Sequence, residues 1–172
     1  MSTKPTLFAG LLALMPGFAS ADVMIEDAYA RVSSAMAQSG AIFMTLHNHN
    51  DFAEVLIGAS SDVAQRVELH THIQNAEGVM RMVEVEGGIA MAPDETVMLE
   101  RGGLHVMLLG LNRALAHGDS FSLTLEFQTS DPITIEVPVD LERMPGHSAG
   151  GMQHDHGQMD HGSHGTAHGS GG

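Results

Sequence analysis

From Asp22 to about Glu142 the chain reads as a series of short strands, cut by turn residues at roughly ten-residue spacing. AIFMTLH (41–47) sets the pattern, with Ile42, Met44 and Leu46 on one face. AEVLIGA (53–59), RVELHTH (66–72), GVMRMVEV (78–85), ETVMLE (95–100), GLHVMLLGL (103–111), DSFSLTLEF (119–127) and PITIEVPV (132–139) follow. HNHND (47–51), NAEG (75–78), APDE (92–95), RGG (101–103), HGD (117–119) and SDP (130–132) separate them. His47, His49 and His117 read as polar turn residues in this scheme. No stretch of about ten residues has convincing helical periodicity. The rhythm predicts an all-β fold, an antiparallel sandwich or barrel. The roughly 120 residues involved are enough to bury a core of their own.

The two ends differ in character. MSTKPTLFAGLLALMPGFASA has a positive start at Lys4, an apolar run from Leu7 to Met15, and a Pro16-Gly17 break. Ala19-Ser20-Ala21 supplies a small-x-small cleavage pattern. Residues 1–21 therefore read as a secretory signal peptide, too short in its apolar run to span a bilayer. The β domain is assigned to 22–143 and the protein to an exported, soluble, periplasmic location. Residues 144–172 are rich in Gly, Ser and His, have little to bury, and are predicted to be disordered.

Charge and cysteine content narrow the chemistry. Without the signal peptide six arginines face 21 acidic residues. Such a surface repels phosphate, which argues against nucleic acid and anionic membranes. There is no cysteine, so disulfides, thiolate zinc sites, blue-copper centres and thiol redox couples are excluded. No catalytic motif stands out, and the chain is not read as an enzyme.

Against that background the 13 Met and 12 His are conspicuous. GLHVMLL (103–109) puts His105 and Met107 on one strand face and Leu104, Val106 and Leu108 on the other. RVELHTH pairs His70 with His72 in the same way, and GVMRMVEV pairs Met80 with Met82. The NAEG turn between those two runs predicts a hairpin. A neutral His/Met donor set suits Cu(I), whereas thioether sulfur is a poor ligand for zinc, magnesium or calcium. Period two alone leaves the choice open between His70 and His72, and between Met80 and Met82.

RVELHTH, GVMRM and ERGGLHVMLLGL together resemble the PCu(A)C family of bacterial periplasmic copper chaperones. Eleven residues separate His70 from Met82 and 22 separate Met82 from His105, one more than the family spacing; the extra residue is placed near Gly87 to Asp94. GAIFMTLHN and GLHVMLLGLNRALAHGD extend the likeness over most of the domain. The resemblance implies a cupredoxin-like, Greek-key β-sandwich and a Cu(I) site formed by His70, Met82, His105 and Met107. His72 and Met80 would then be accessory. It also implies a copper recipient, apo cytochrome c oxidase at its CuA centre, with Sco-type proteins as helpers. The protein is expected to be a monomer, with copper-dependent association open to it.

The tail carries His147, His154, His156, His161, His164 and His168 with Met152 and Met159. Closely spaced imidazoles on a flexible chain bind divalent ions, Cu(II) among them. A periplasmic buffer for Cu, Zn or Ni working mainly through this tail is the alternative function.

Overall fold

The computed structural model describes residues 23–143. The predicted signal peptide and the His-rich tail lie outside the described residues. Ten strands and no helix occupy the described chain: β1 (Val23–Val32), β2 (Ser39–Asn48), β3 (Glu54–Ser60), β4 (Ala64–Gln74), β5 (Met80–Glu84), β6 (Ile89–Met91), β7 (Thr96–Leu99), β8 (His105–Leu111), β9 (Ser120–Phe127) and β10 (Ile133–Pro138). Each of the eight alternating runs in the sequence forms a strand, and NAEG closes the β4–β5 hairpin.

Two sheets make the sandwich. The larger runs β1-β2-β8-β4-β5, with β7 also pairing with β2; the smaller runs β10-β9-β3-β6. Every strand pairing is antiparallel. The non-sequential neighbours β2–β8, β8–β4 and β9–β3 are the crossovers that a Greek-key connection requires.

The alternating residues fill the space between the sheets. Ile42, Met44 and Leu46 of β2, Leu69 of β4, and Val106 and Leu108 of β8 are buried from one side. Leu56, Met91, Phe121, Leu123, Leu125 and Val137 meet them from the smaller sheet. Burial of such side chains is the dominant stabilising term, about 1.5–3 kcal/mol for each. It also fixes register, because a one-residue slip would turn each apolar row to solvent.

Two strands were not separately identified in the sequence. In β1 a bulge between Glu26 and Tyr29, with Asp27 at φ 54°, shifts the inward residues from Val23 to Ala30 and Val32. The alternation changes phase in mid-strand and hides the period. β6 has only three residues and follows Gly88, whose φ is +76°. A Cβ there would come within 2.6 Å of the Leu56 carbonyl oxygen, so β6 meets β3 through a position that only glycine fits.

Candidate metal centre

The larger sheet has an outer face as well as a buried one. The β4–β8 register sets His70 opposite His105 and Glu68 opposite Met107. The β4–β5 register sets His72 opposite Met82 and His70 opposite Glu84. Since Leu69, Val106 and Leu108 point into the core, the alternating neighbours Glu68, His70, His72, His105 and Met107 share the outer face. The ring of His105 lies 5.9 Å from that of His70 and 5.3 Å from that of His72, centroid to centroid. Phe43, on the same face of β2, lies 6.2 Å away.

Hydrogen bonding fixes how the two innermost imidazoles are protonated. Nδ1 of His105 is 3.0 Å from the Gly103 carbonyl oxygen, which can only accept. The proton is therefore on Nδ1 and the lone pair on Nε2. Nε2 of His70 is 2.9 Å from the Glu68 carboxylate, so this nitrogen donates and Nδ1 is the atom that offers a lone pair in the neutral ring. Among the described residues the buried side-chain nitrogens and oxygens without a hydrogen-bond partner are just those two, His70 Nδ1 and His105 Nε2. A buried polar atom left unpaired costs about 1–3 kcal/mol. Two such lone pairs on neighbouring strands match what a metal ion requires.

Beside them is a cavity of about 150 Å³ lined by Ala41, Phe43, His72, Met82, Arg101, Gly102 and His105. His105 is 2% exposed, whereas Met82 is 45% exposed. The arrangement runs from a buried imidazole to an accessible thioether. Neutral nitrogen and sulfur donors in that order can hold a soft monovalent ion and let ligands be exchanged from the open side.

The structure brings His70, His72, Met82 and His105 into one neighbourhood. Met107 sits across from Glu68 on the same face, partly buried and outside the cavity lining. Met80 faces Gln74 further along the hairpin and is half exposed. The tail residues lie outside the described residues. Glu68, Phe43, Arg101 and the Gly103 carbonyl were not singled out in the sequence. Glu68 alone carried a local signal, standing two residues before His70 on the same face. His117 occupies a turn, as expected, where Nδ1 accepts a hydrogen bond from the Leu141 amide. His47 belongs to the end of β2, and it converges with His49 and Asp94.

Burial holds the His105 pKa below the ordinary imidazole value of 6.5; the Gly103 carbonyl opposes this, and His72 and His70 add to the lowering. The unfolded chain thus binds this proton more readily than the folded one. Stability from neutral His105 is complete above pH 6.5 and is lost as pH falls through the lower folded value. Urea midpoints of the metal-free protein are expected to drop on the acid side of pH 6.5, and His105→Gln is expected to flatten that drop. Parallel pH profiles for the two proteins would show the assignment to be wrong.

Comparison with known proteins agrees with the fold. Residues 23–139 match the family described as "Putative lipoprotein LpqE-like". The chain belongs to the LpqE-like family. A relative of the LpqE-like chain, "Putative lipoprotein Lxx21020" of Leifsonia xyli subsp. xyli, is 30% identical over 124 residues, covering 72% of this chain and 73% of the relative. The uncharacterized protein RP573 of Rickettsia prowazekii is 30% identical over 101 residues, covering 59% of this chain and 55% of that protein. Among solved structures, the copper-bound PCuAC domain from PmoF2 superposes with a TM-score of 0.59 at 23% identity, over 74% of this chain and 99% of that domain. The CuI-DR1885 solution structure from Deinococcus radiodurans gives 0.55 at 27% identity, over 72% and 80%. The LpqE-like chain thus has the cupredoxin-like fold of PCuAC domains, as its sequence resemblance implied.

Proposed function

We propose that this protein is an exported copper carrier that binds Cu(I) through His70, Met82, His105 and Met107 and performs no covalent catalysis. The observation that carries the reading is the pair of buried, unpartnered lone pairs on His70 Nδ1 and His105 Nε2. They stand beside a Met82-lined cavity, in a fold shared with structures described as copper-bound and CuI-bound. The residue types supply the selectivity, since imidazole with thioether favours a soft monovalent ion over zinc.

Release follows from the exposure gradient. A partner reaches Met82 first, and its ligands displace the weak thioether before the buried His105. Each step replaces one bond rather than breaking the whole shell, so no free ion is formed. The Glu68 carboxylate holds His70 in its ligand tautomer throughout. By family resemblance the recipient is apo cytochrome c oxidase at its CuA centre, assisted by Sco-type proteins, in the periplasm. The domain division in this reading is a signal peptide at 1–21, the carrier domain at 22–143, and a Cu(II)-collecting tail at 144–172. Among the described residues no helix is long and apolar enough to cross a membrane.

X-ray absorption at the copper edge of the Cu(I)-loaded full chain tests the site. Nitrogen and sulfur scatterers are expected around copper, and a Met82→Ala/Met107→Ala double variant is expected to lose the sulfur contribution. Sulfur scattering that persists unchanged would move copper to other methionines, Met152 and Met159 included. A Cu(I) affinity that does not respond to the double variant would favour the tail-based buffer instead.

A further inference from the structure

The end of β2 carries a second cluster of ligand atoms. His47, His49 and Asp94 each offer one donor atom, and those atoms lie within 4.8 Å of one another. The two imidazole rings stand 4.1 Å apart, centroid to centroid. His47 follows Phe43 by four residues, roughly 13 Å along the strand, so this cluster is separate from the His105 cavity.

The cluster is held by its surroundings. Asn48, between the two histidines, is wholly buried. Its side-chain amide donates to the Ala92 and Phe52 carbonyls at 3.0 and 2.9 Å, and its Oδ1 accepts from the Asn50 amide. Ala92 opens the turn that contains Asp94, so one buried side chain joins both parts of the cluster. The turn is closed by the Glu95 amide donating to the Ala92 carbonyl and the Ala92 amide donating to the Glu95 carboxylate. The Asn48 amide also donates to the Glu95 carbonyl. Asp94 sits at φ 56°, an uncommon conformation for a residue other than glycine. His47 Nδ1 is hydrogen-bonded to the Thr96 hydroxyl at 2.6 Å, which anchors the ring to β7.

We infer that His47, His49 and Asp94 form a second metal site, for a divalent transition-metal ion of the Cu(II) or Zn(II) kind. Two imidazoles and a carboxylate are a harder donor set than one with thioethers, and three protein ligands leave room for water. Ligand atoms of a tetrahedral zinc site stand about 3.3 Å apart, so the three donors would have to draw in from their present spread to hold an ion. One sheet face would then hold two sites of different softness, one for each copper oxidation state. Cu(II) should bind more tightly than Zn(II), following the general order of divalent affinities.

Imidazole-resolved NMR of the isotopically labelled full chain, titrated with Zn(II), tests this. The His47 and His49 rings are expected to shift to saturation, and Asp94→Asn is expected to weaken that response at least about tenfold. Cu(II) is expected to broaden the same two rings. If both rings stay unshifted once Zn(II) exceeds what the six tail imidazoles can hold, the site does not exist. An undiminished response in Asp94→Asn would overturn the three-ligand form. A His47→Gln/His49→Gln variant is expected to keep the Cu(I) response of His105; losing it would mean that the two clusters are not separate sites. Absence of that Cu(I) response in the unaltered chain, with the Zn(II) shifts intact, would count against the carrier reading alone.

Discussion

His105→Gln is expected to lower Cu(I) affinity by at least about a hundredfold, more than is typical for removing a group that only supports a ligand. Competition against a chromophoric Cu(I) chelator measures it. His105 is nearly inaccessible, its Nδ1 proton is committed to Gly103, and its Nε2 has no protein partner. Glutamine keeps the bulk and a hydrogen-bonding group but not the aromatic nitrogen lone pair. The same experiment separates the two histidines of β4. His70 has an unpartnered buried nitrogen oriented by Glu68; His72 has only a long 3.5 Å contact to the Gly103 carbonyl and lines the cavity opposite Met82. His70→Gln should therefore match His105→Gln, while His72→Gln should cost about tenfold or less, and Glu68→Gln about tenfold, as supporting groups do. A larger loss from His72→Gln than from His70→Gln would transfer the ligand role to His72.

Glu54→Ala is expected to damage the fold severely, lowering unfolding free energy by roughly 3 kcal/mol or more. The Glu54 side chain has no solvent exposure. Its carboxylate accepts hydrogen bonds from the amides of Val55, Thr129 and Ser130 and from the Ser130 hydroxyl, at 2.7 to 3.1 Å. It thereby ties the start of β3 to the chain that leaves β9. Alanine would remove four hydrogen bonds and leave three amides unpaired. Burial by itself raises the Glu54 pKa, but the bonds from the Ser130 hydroxyl and the Val55, Ser130 and Thr129 amides together bring it below the ordinary 4.5. The stabilisation is present above pH 4.5 and is lost as pH falls through the lower folded value. Chemical denaturation checks both points. A variant with an unchanged midpoint would mean that water replaces the carboxylate at no cost.

Strand positions were legible wherever one face is buried and the other is not. Ile42, Met44 and Leu46, or Val106 and Leu108, declare their face in the sequence because the core requires period two. That signal fails at Asp27, where the bulge reverses the phase, and over the three residues of β6. The candidate donors stand out in the sequence by residue type, but the sequence does not choose among them. Residues two apart share a face, so alternation cannot choose between His70 and His72; the Glu68 hydrogen bond distinguishes them, and it depends on side-chain geometry. His49 does lie in the connection after β2, whereas His47 belongs to the strand; their convergence with Asp94 does not show in the sequence because Asp94 is distant along the chain and arrives through the β2–β7 pairing.

The last described residue, Arg143, is anchored by an ion pair to Asp27 at 2.7 Å and stacks over Tyr29 at 4.1 Å. Tyr29 lies 5.3 Å from Phe43, and Phe43 is the neighbour of His105. The tether point of the C-terminal segment is thus only two aromatic rings from the cavity. Tyr29 pairs directly with Phe43 across β1 and β2, so Arg143 lies over the outer face of the larger sheet, the face that carries His105.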